Sequence, residues 1–270
     1  MIMGLNTRKI LTASLIALLA QPVLATAEEP AARVIMLAGK ATAATDAGIV
    51  RPLAKGEPVF SGDLLNSGVG SYVNLKFTDG GFFLLRPESR FQIEAYKPAA
   101  AANDPATATT ANPPAAAAVP AAPLITAPAI QQSQRSQAFF RLLKGGFRTV
   151  SGAIGKINRD DYRVSTPVAT IGIRGTVYSG RLCQRNCDDR EEIMDLLREA
   201  GATPRDGEVI LVTTVQEGEI EIETPTSRRT QQPGTTLFTS EEGTIIEVRQ
   251  PPTTERLESN LNPQDCDAPG

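Results

Sequence analysis

Residues 72–85 read YVNLKFTDGGFFLL, and this stretch constrains the fold more than any other. Val73, Leu75 and Phe77 alternate with Tyr72, Asn74 and Lys76, the period of two that marks a half-buried strand. Asp79-Gly80 follows, a strong hairpin signal, because glycine accepts the positive φ that a tight turn requires. The return run Phe82-Phe83-Leu84-Leu85 is apolar on both faces, which predicts a central strand.

Strand-sized runs of this kind recur along the chain. Residues 33–39 end in glycine, and Phe91 and Ile93 alternate after Pro87. Residues 138–143 and 147–152 flank Lys144-Gly145-Gly146, and residues 162–165 run into 166–180, TPVATIGIRGTVYSG. Further runs lie at 208–213, at Ile220 and Ile222 after the Glu217-Gly218 turn, at 236–239 and at 244–248. Short strands with turns at close, regular intervals predict an all-β fold. A sandwich or jelly roll and a short β-solenoid both fit the spacing.

Two segments depart from this style. Of the 33 residues 98–130, 22 are Ala or Pro and only Asp104 is charged. Too few large apolar groups are present to build a core, so 98–136 is expected to be a disordered Ala/Pro-rich linker. Residues 188–201 begin with aspartates, place Ile193, Leu196 and Leu197 at helical spacing and end in glycine, which predicts a short capped helix inserted between strands. The flanking parts, 32–97 and 137–250, are each small for an independent core, so they are expected to form one domain interrupted by the linker. A flexible polar tail is expected over 251–270.

Arg8 and Lys9, an apolar run over residues 10–24 and Ala25-Thr26-Ala27 are the three parts of a secretory signal peptide, with cleavage expected after Ala27. The run is shorter than the roughly 20 residues a spanning helix needs, which sets this reading above an uncleaved anchor. Export removes two positive charges and takes the formal net charge from −3 to −5. That balance carries no electrostatic footprint for nucleic acid. With no histidine in the chain, Ser-His-Asp and Cys-His catalysis are excluded, and with no tryptophan the strongest platform for stacking sugars is missing.

Cys183, Cys187 and Cys266 would meet an oxidising compartment after export and can form at most one intramolecular disulfide. A Cys183–Cys187 bridge needs a loop, because strand positions four apart are too distant; Asn186 and Asp188 favour one. The alternatives are reduced thiols or a bridge to Cys266. Metal binding by Cys183 and Cys187 alone would lack two ligands of a tetrahedral set. Asp160-Asp161, Asp188-Asp189 and Glu241-Glu242 read as surface charge, since adjacent acids on a strand point to opposite faces. No cofactor motif occurs.

Three stretches resemble the FecR domain family. Residues 55–68, KGEPVFSGDLLNSG, are similar to its glycine, G-D and strand pattern; residues 71–87 supply an alternating strand, the Asp79-Gly80 turn and the return strand. Residues 166–178 are very similar to its A-T-x-G-x-R-G-T-x-[FY] block, and the resemblance extends to Gln216–Ile220. It implies an extracytoplasmic bacterial β-domain that binds something, without known catalytic residues. The best-described members are transmembrane regulators that pass a signal to a cytoplasmic sigma factor. Nine residues precede the apolar run here, so that role is not expected to carry over.

Within this frame Gly172, Arg174, Gly175 and Thr176, with Asp63 and Asp79, are the structural or binding candidates. The glycines let the chain turn sharply or let another backbone approach. Arg174 has two roles open to it. It caps carbonyls or pairs with a buried carboxylate such as Asp63 or Asp79, the expected role, or it stands exposed and binds an anion. The expected function is that of a non-enzymatic ligand- or partner-binding module of the periplasm or cell surface, its partner an envelope protein or glycan. A polysaccharide-active enzyme with two facing carboxylates in an acidic cleft, and a purely structural envelope protein, are the competing readings.

Overall fold

The computed structural model describes residues 28–98, 136–157, 159–185, 187, 189–248, 251–253 and 263–264. Its strands are β1 (Ala32–Ala38), β2 (Ala41–Ala44), β3 (Val50–Pro52), β4 (Pro58–Val59), β5 (Leu64–Ser67), β6 (Tyr72–Phe77), β7 (Phe82–Leu85), β8 (Arg90–Lys97), β9 (Gln137–Val150), β10 (Tyr162–Ser165), β11 (Thr170–Cys183), β12 (Ile210–Glu223), β13 (Arg228–Gln231), β14 (Thr236–Ser240) and β15 (Ile245–Val248). All fifteen belong to one large mixed sheet that does not close into a barrel, and two short helices accompany it, α1 (Ala153–Ile157) and α2 (Arg190–Glu199). The expected all-β class is the class observed. The expected leader at 1–27, most of the linker and most of the tail lie outside the described residues. No helix among the described residues is long and apolar enough to cross a membrane.

The sheet runs β15-β14-β12-β11-β10-β9-β7-β6-β1-β4, and a branch β3-β2-β5-β8 joins it at β9. The branch point has a simple origin. The N-terminal half of β9 lies between β8 and β10, its C-terminal half between β7 and β11. Lys144-Gly145-Gly146 reads in sequence as a break between two runs; instead it carries one strand from the first pair of neighbours to the second. Leu142 faces Phe91 but Lys144 faces Arg90, so the extra residue is a bulge, the device by which a strand changes direction without losing its ladder. Both β7 and β8 precede the Ala/Pro-rich segment, and both pair with β9 beyond it.

The core follows the period-two pattern. Val73, Leu75 and Phe77 are buried on β6, and all four residues of β7 are buried, as a central strand requires. Phe83 of β7 packs against Phe91 of β8 and Phe140 and Phe147 of β9, with ring centroids 4.4, 5.6 and 4.6 Å apart. The pairs with Phe140 and Phe147 lie within the roughly 4.5–7 Å range favoured by aromatic pairs, and the pair with Phe91 lies just below its lower edge. The aromatic cluster therefore fills the seam where branch and main sheet part. Asn74 was placed on the solvent face of β6 by the alternation, yet it is buried: its Nδ2 donates to the carbonyl of Pro263 at 2.7 Å. At this point the C-terminal segment lies on the sheet rather than loose.

Helix α2 falls inside the expected 188–201 and buries Ile193, Met194 and Leu197 against Cys183, Ile210, Val212 and Phe238. Helix α1 was not anticipated. Its first two backbone N–H groups, of Ala153 and Ile154, donate to the carbonyl and carboxylate of Asp79. The N-cap of this short helix thus comes from a turn 75 residues away in sequence, which no local pattern announces.

Candidate functional site

Residues 166–180 form the β10–β11 turn and most of β11. Ile171 and Ile173 point into the core, so Gly172 and Arg174 point outward, and Arg174 is exposed opposite Glu219 of β12. The expected pairing of Arg174 with Asp63 or Asp79 is therefore corrected. Asp63 is buried and held by Arg51, whose Nη1 and Nη2 donate to its two oxygens, and by the Phe60 N–H at 2.8 Å. The Asp79 carboxylate accepts the N–H groups of Gly81 at 3.1 Å and Ile154 at 3.2 Å.

Of the remaining candidates, Thr176 is structural: its N–H donates to Ser151 Oγ at 2.8 Å and its hydroxyl to the Glu219 carbonyl at 2.9 Å. Gly175 sits at φ 60° in a bulge of β11, and Gly218 of β12 comes so close that a Cβ there would lie 2.3 Å from the Gly175 carbonyl oxygen. Nothing lies within 4 Å of a Cβ at Gly172, so space does not explain that glycine.

The feature that sequence reasoning missed lies at the opposite end of β11. There the end of β7, the mid-strand bulge of β9, the end of β11 and the loop after Cys183 line a cleft of about 520 Å³. Among the described residues four cations line it, Arg86, Lys144, Arg181 and Arg185, against one carboxylate, Glu88. Tyr72, Pro87, Leu182 and Val209 give it an apolar wall. Arg86 follows the buried FFLL run directly and is only 4% exposed, whereas Arg185 is exposed.

Local structure explains how each cation arrives. A Cβ at Gly146 would meet Arg86 Cδ at 2.9 Å, and one at Gly207 would meet Arg185 Nε at 2.9 Å. Gly146 leaves no space for a side chain beside Arg86, whereas Gly207 is held at φ 80°, a conformation that itself favours glycine. Glu88, the lone non-glycine residue with positive φ among the described residues, at 53°, turns the chain between Arg86 and β8. Such backbone costs of order 1–3 kcal/mol and collects at binding sites. Lys144 reaches Glu88 at 3.4 Å.

Arg181 is braced from behind by Asp189, which takes both guanidinium arms through its two oxygens; the side chains are 9% and 6% exposed. Asp189 is buried rather than surface charge; it occupies the N-cap position of α2, where its carbonyl accepts the Ile193 N–H, but its carboxylate turns back to Arg181 instead of capping the first turn. Just inside this pair, Cys183 and Cys187 are disulfide-bonded with Cα atoms 5.2 Å apart, across a turn in which the Cys187 N–H donates to Gln184 O. The disulfide expected from sequence is present, with the loop it required. Of the residues chosen from sequence, Cys187 alone lines the cleft.

On the far side of this loop a wider groove runs over α2, lined by Glu191, Glu192 and Asp195 together with Arg185, Arg190 and Arg198. Its charges are mixed and partly engaged: Arg198 pairs with Asp195, and Glu192 accepts from the Thr253 N–H and hydroxyl. No group of three or more Cys, Asp or Glu residues able to hold a metal ion occurs among the described residues.

No protein-family model and no curated protein matches the chain. Two solved structures of candidate anti-sigma factors from Parabacteroides distasonis ATCC 8503 are similar in structure. The first has a TM-score of 0.40 and 11% identity over 73% of this chain and 63% of that one. The second has a TM-score of 0.37 and 11% identity over 67% of this chain and 57% of that one. In both cases the match spans less than two thirds of the other chain.

Proposed function

We propose that this chain is a non-enzymatic, extracytoplasmic binding module of FecR type, working in the bacterial periplasm or at the cell surface. The cationic cleft is where it engages an envelope protein or glycan. The observation that carries the reading is the lining itself. A cleft of about 520 Å³ falls in the range of small-molecule and recognition pockets, roughly 300–1,000 Å³. Its single carboxylate, Glu88, is joined to Lys144. Glycoside hydrolysis wants two carboxyl groups set about 5–10 Å apart across the scissile bond, and the described lining residues include one. A purely structural envelope protein has no use for a formed cleft with converging cations. The 166–178 block and the leader-like N-terminus support the envelope assignment.

The test is capture. The protein from Glu28 onward, immobilised and exposed to envelope extract, is expected to retain a defined protein or glycan. A Lys144→Glu/Arg185→Glu variant is expected to lose it, since both positions are exposed and tolerate reversal without unfolding. Identical retention by the two proteins, or release of new reducing ends from a polysaccharide by the purified protein, overturns the reading.

A further inference from the structure

We infer that the second face of the sheet, the one turned away from the aromatic core, is a docking surface for the chain's own residues 254–262, TERLESNLN, with Leu257 and Leu261 seated on Leu84. Those nine residues lie outside the described ones. The inference goes beyond the reading of the cleft and does not depend on it.

Burial is the first argument. Asn74, Leu84, Arg148 and Ser179 stand opposite one another on β6, β7, β9 and β11, in a single row across the sheet. Their neighbours in sequence, Leu75, Phe83, Phe147 and Tyr178, belong to the core, so the row points the other way. The second face of an antiparallel sheet is commonly solvated. Here the four residues are only 0, 5, 8 and 7% exposed. Helix α2 packs on this face further along, over Val212 and Phe238. Leu84 belongs to neither apolar cluster of the described residues, yet it is buried.

The path of the chain is the second. Thr253 is tied to Glu192 in the first turn of α2, at one end of the row. Pro263 accepts from Asn74 Nδ2 at the other. From β12 to β6 is four strand spacings, roughly 19 Å. Ten residue steps cover about 15 Å as helix and up to about 33 Å extended. The direct route between the two fixed points therefore runs along the row.

Composition is the third. Leu257 and Leu261 are the large apolar groups of the segment, and their spacing of four puts them on one side of a helical turn. Glu255 and Glu258 outnumber Arg256, which suits a face carrying Arg148. Arg148 already donates to Gln216, so this match is one of overall charge and not of a single pair.

The test is photo-cross-linking in the full chain, with a benzophenone-bearing phenylalanine replacing Leu257 or Leu261. Cross-links within one chain to residues 82–86 or 146–150 are expected. Cross-links between two chains assign the face to a second copy and overturn the inference, as do cross-links confined to other strands. A full-length Leu257→Ser/Leu261→Ser variant is expected to melt at least about 5 °C lower, from the loss of two buried leucines, and to bind a hydrophobic dye that the parent does not. A melt within about 1 °C of the parent, with no dye binding, also overturns it. If that variant does not fold, the cross-links decide alone.

Discussion

Arg51 closes over Asp63: Nη1 lies 3.0 Å from Oδ1, and Nη2 donates both to Oδ2 and to the Pro58 carbonyl, the latter at 3.0 Å. The hydrogen bond to Asp63 raises the Arg51 pKa against the opposing effect of burial. The aspartate is 2% exposed, so removing the arginine strands a buried carboxylate with only the Phe60 N–H to satisfy it. Arg51→Ala is expected to cost about 2–3 kcal/mol, in the range of hydrogen bonds to charged groups. Arg51→Lys should recover only part of that, since an ammonium cannot span both oxygens and Pro58 O at once. Denaturant midpoints of the two variants, at unchanged m-value, check this.

Arg174 should behave in the opposite way. It is exposed at the turn-side end of β11, where its backbone N–H, not its guanidinium, makes the hydrogen bond to Thr176 at 3.3 Å. Arg174→Ala and Arg174→Lys are both expected to leave stability within about 0.5 kcal/mol of the parent. A loss above about 2 kcal/mol in chemical denaturation would restore the scaffold role.

The direction of Arg174 was legible in the sequence. Ile171 and Ile173 share one face of a period-two strand, which assigns Arg174 to the other. The glycines drew attention away from that alternation. Strand positions, the centrality of β7 and the Cys183–Cys187 loop were legible for the same reason, because each depends on near neighbours. The cleft was not. Arg86, Gly146, Arg181 and Gly207 are scattered over the chain, and they meet only because β9 pairs with β7 on one side and β11 on the other. A glycine whose purpose is to let a distant arginine pass looks in sequence like any other glycine. Asp79 capping α1 is hidden in the same way.

Alkaline pH should unfold the protein early. Burial raises the pKa of Tyr96, Tyr162 and Tyr178 above the usual phenol value of 10.0, and the charge of Asp79 adds to the effect at Tyr96. For a group whose folded pKa is raised, the stabilising contribution is complete below the unfolded value and is lost as pH climbs towards the folded one. Stability is thus expected to fall once pH passes about 10, where unfolded tyrosines ionise and these three resist. Phenolate absorbance from them should appear together with loss of the folded circular-dichroism signal, not before it. Tyr178→Phe should blunt the pH slope. It should also cost little at neutral pH or gain up to about 1 kcal/mol, because the Tyr178 hydroxyl is buried without a hydrogen-bond partner among the described residues.

The braces on the cleft should separate stability from binding. Asp189→Ala leaves Arg181 buried beside the disulfide without its carboxylate, and removing one partner of a buried pair costs about 3–5 kcal/mol. Arg181→Met/Asp189→Leu removes both charges and should recover most of that loss, since paired burial often does no better than apolar packing. Cys183→Ser/Cys187→Ser opens a loop with a sequence separation of only 4, so the chain-entropy loss is small, about 2 kcal/mol. Its larger consequence should be local. Arg185 stands inside the opened turn and would lose its fixed position, so capture from envelope extract should weaken while the global melt shifts only modestly. Thermal melts and envelope capture with the same three proteins decide it. Unchanged capture by the serine variant would mean that the loop holds Arg185 without help from the disulfide, and would assign the rigidity of the cleft to Arg181–Asp189 instead.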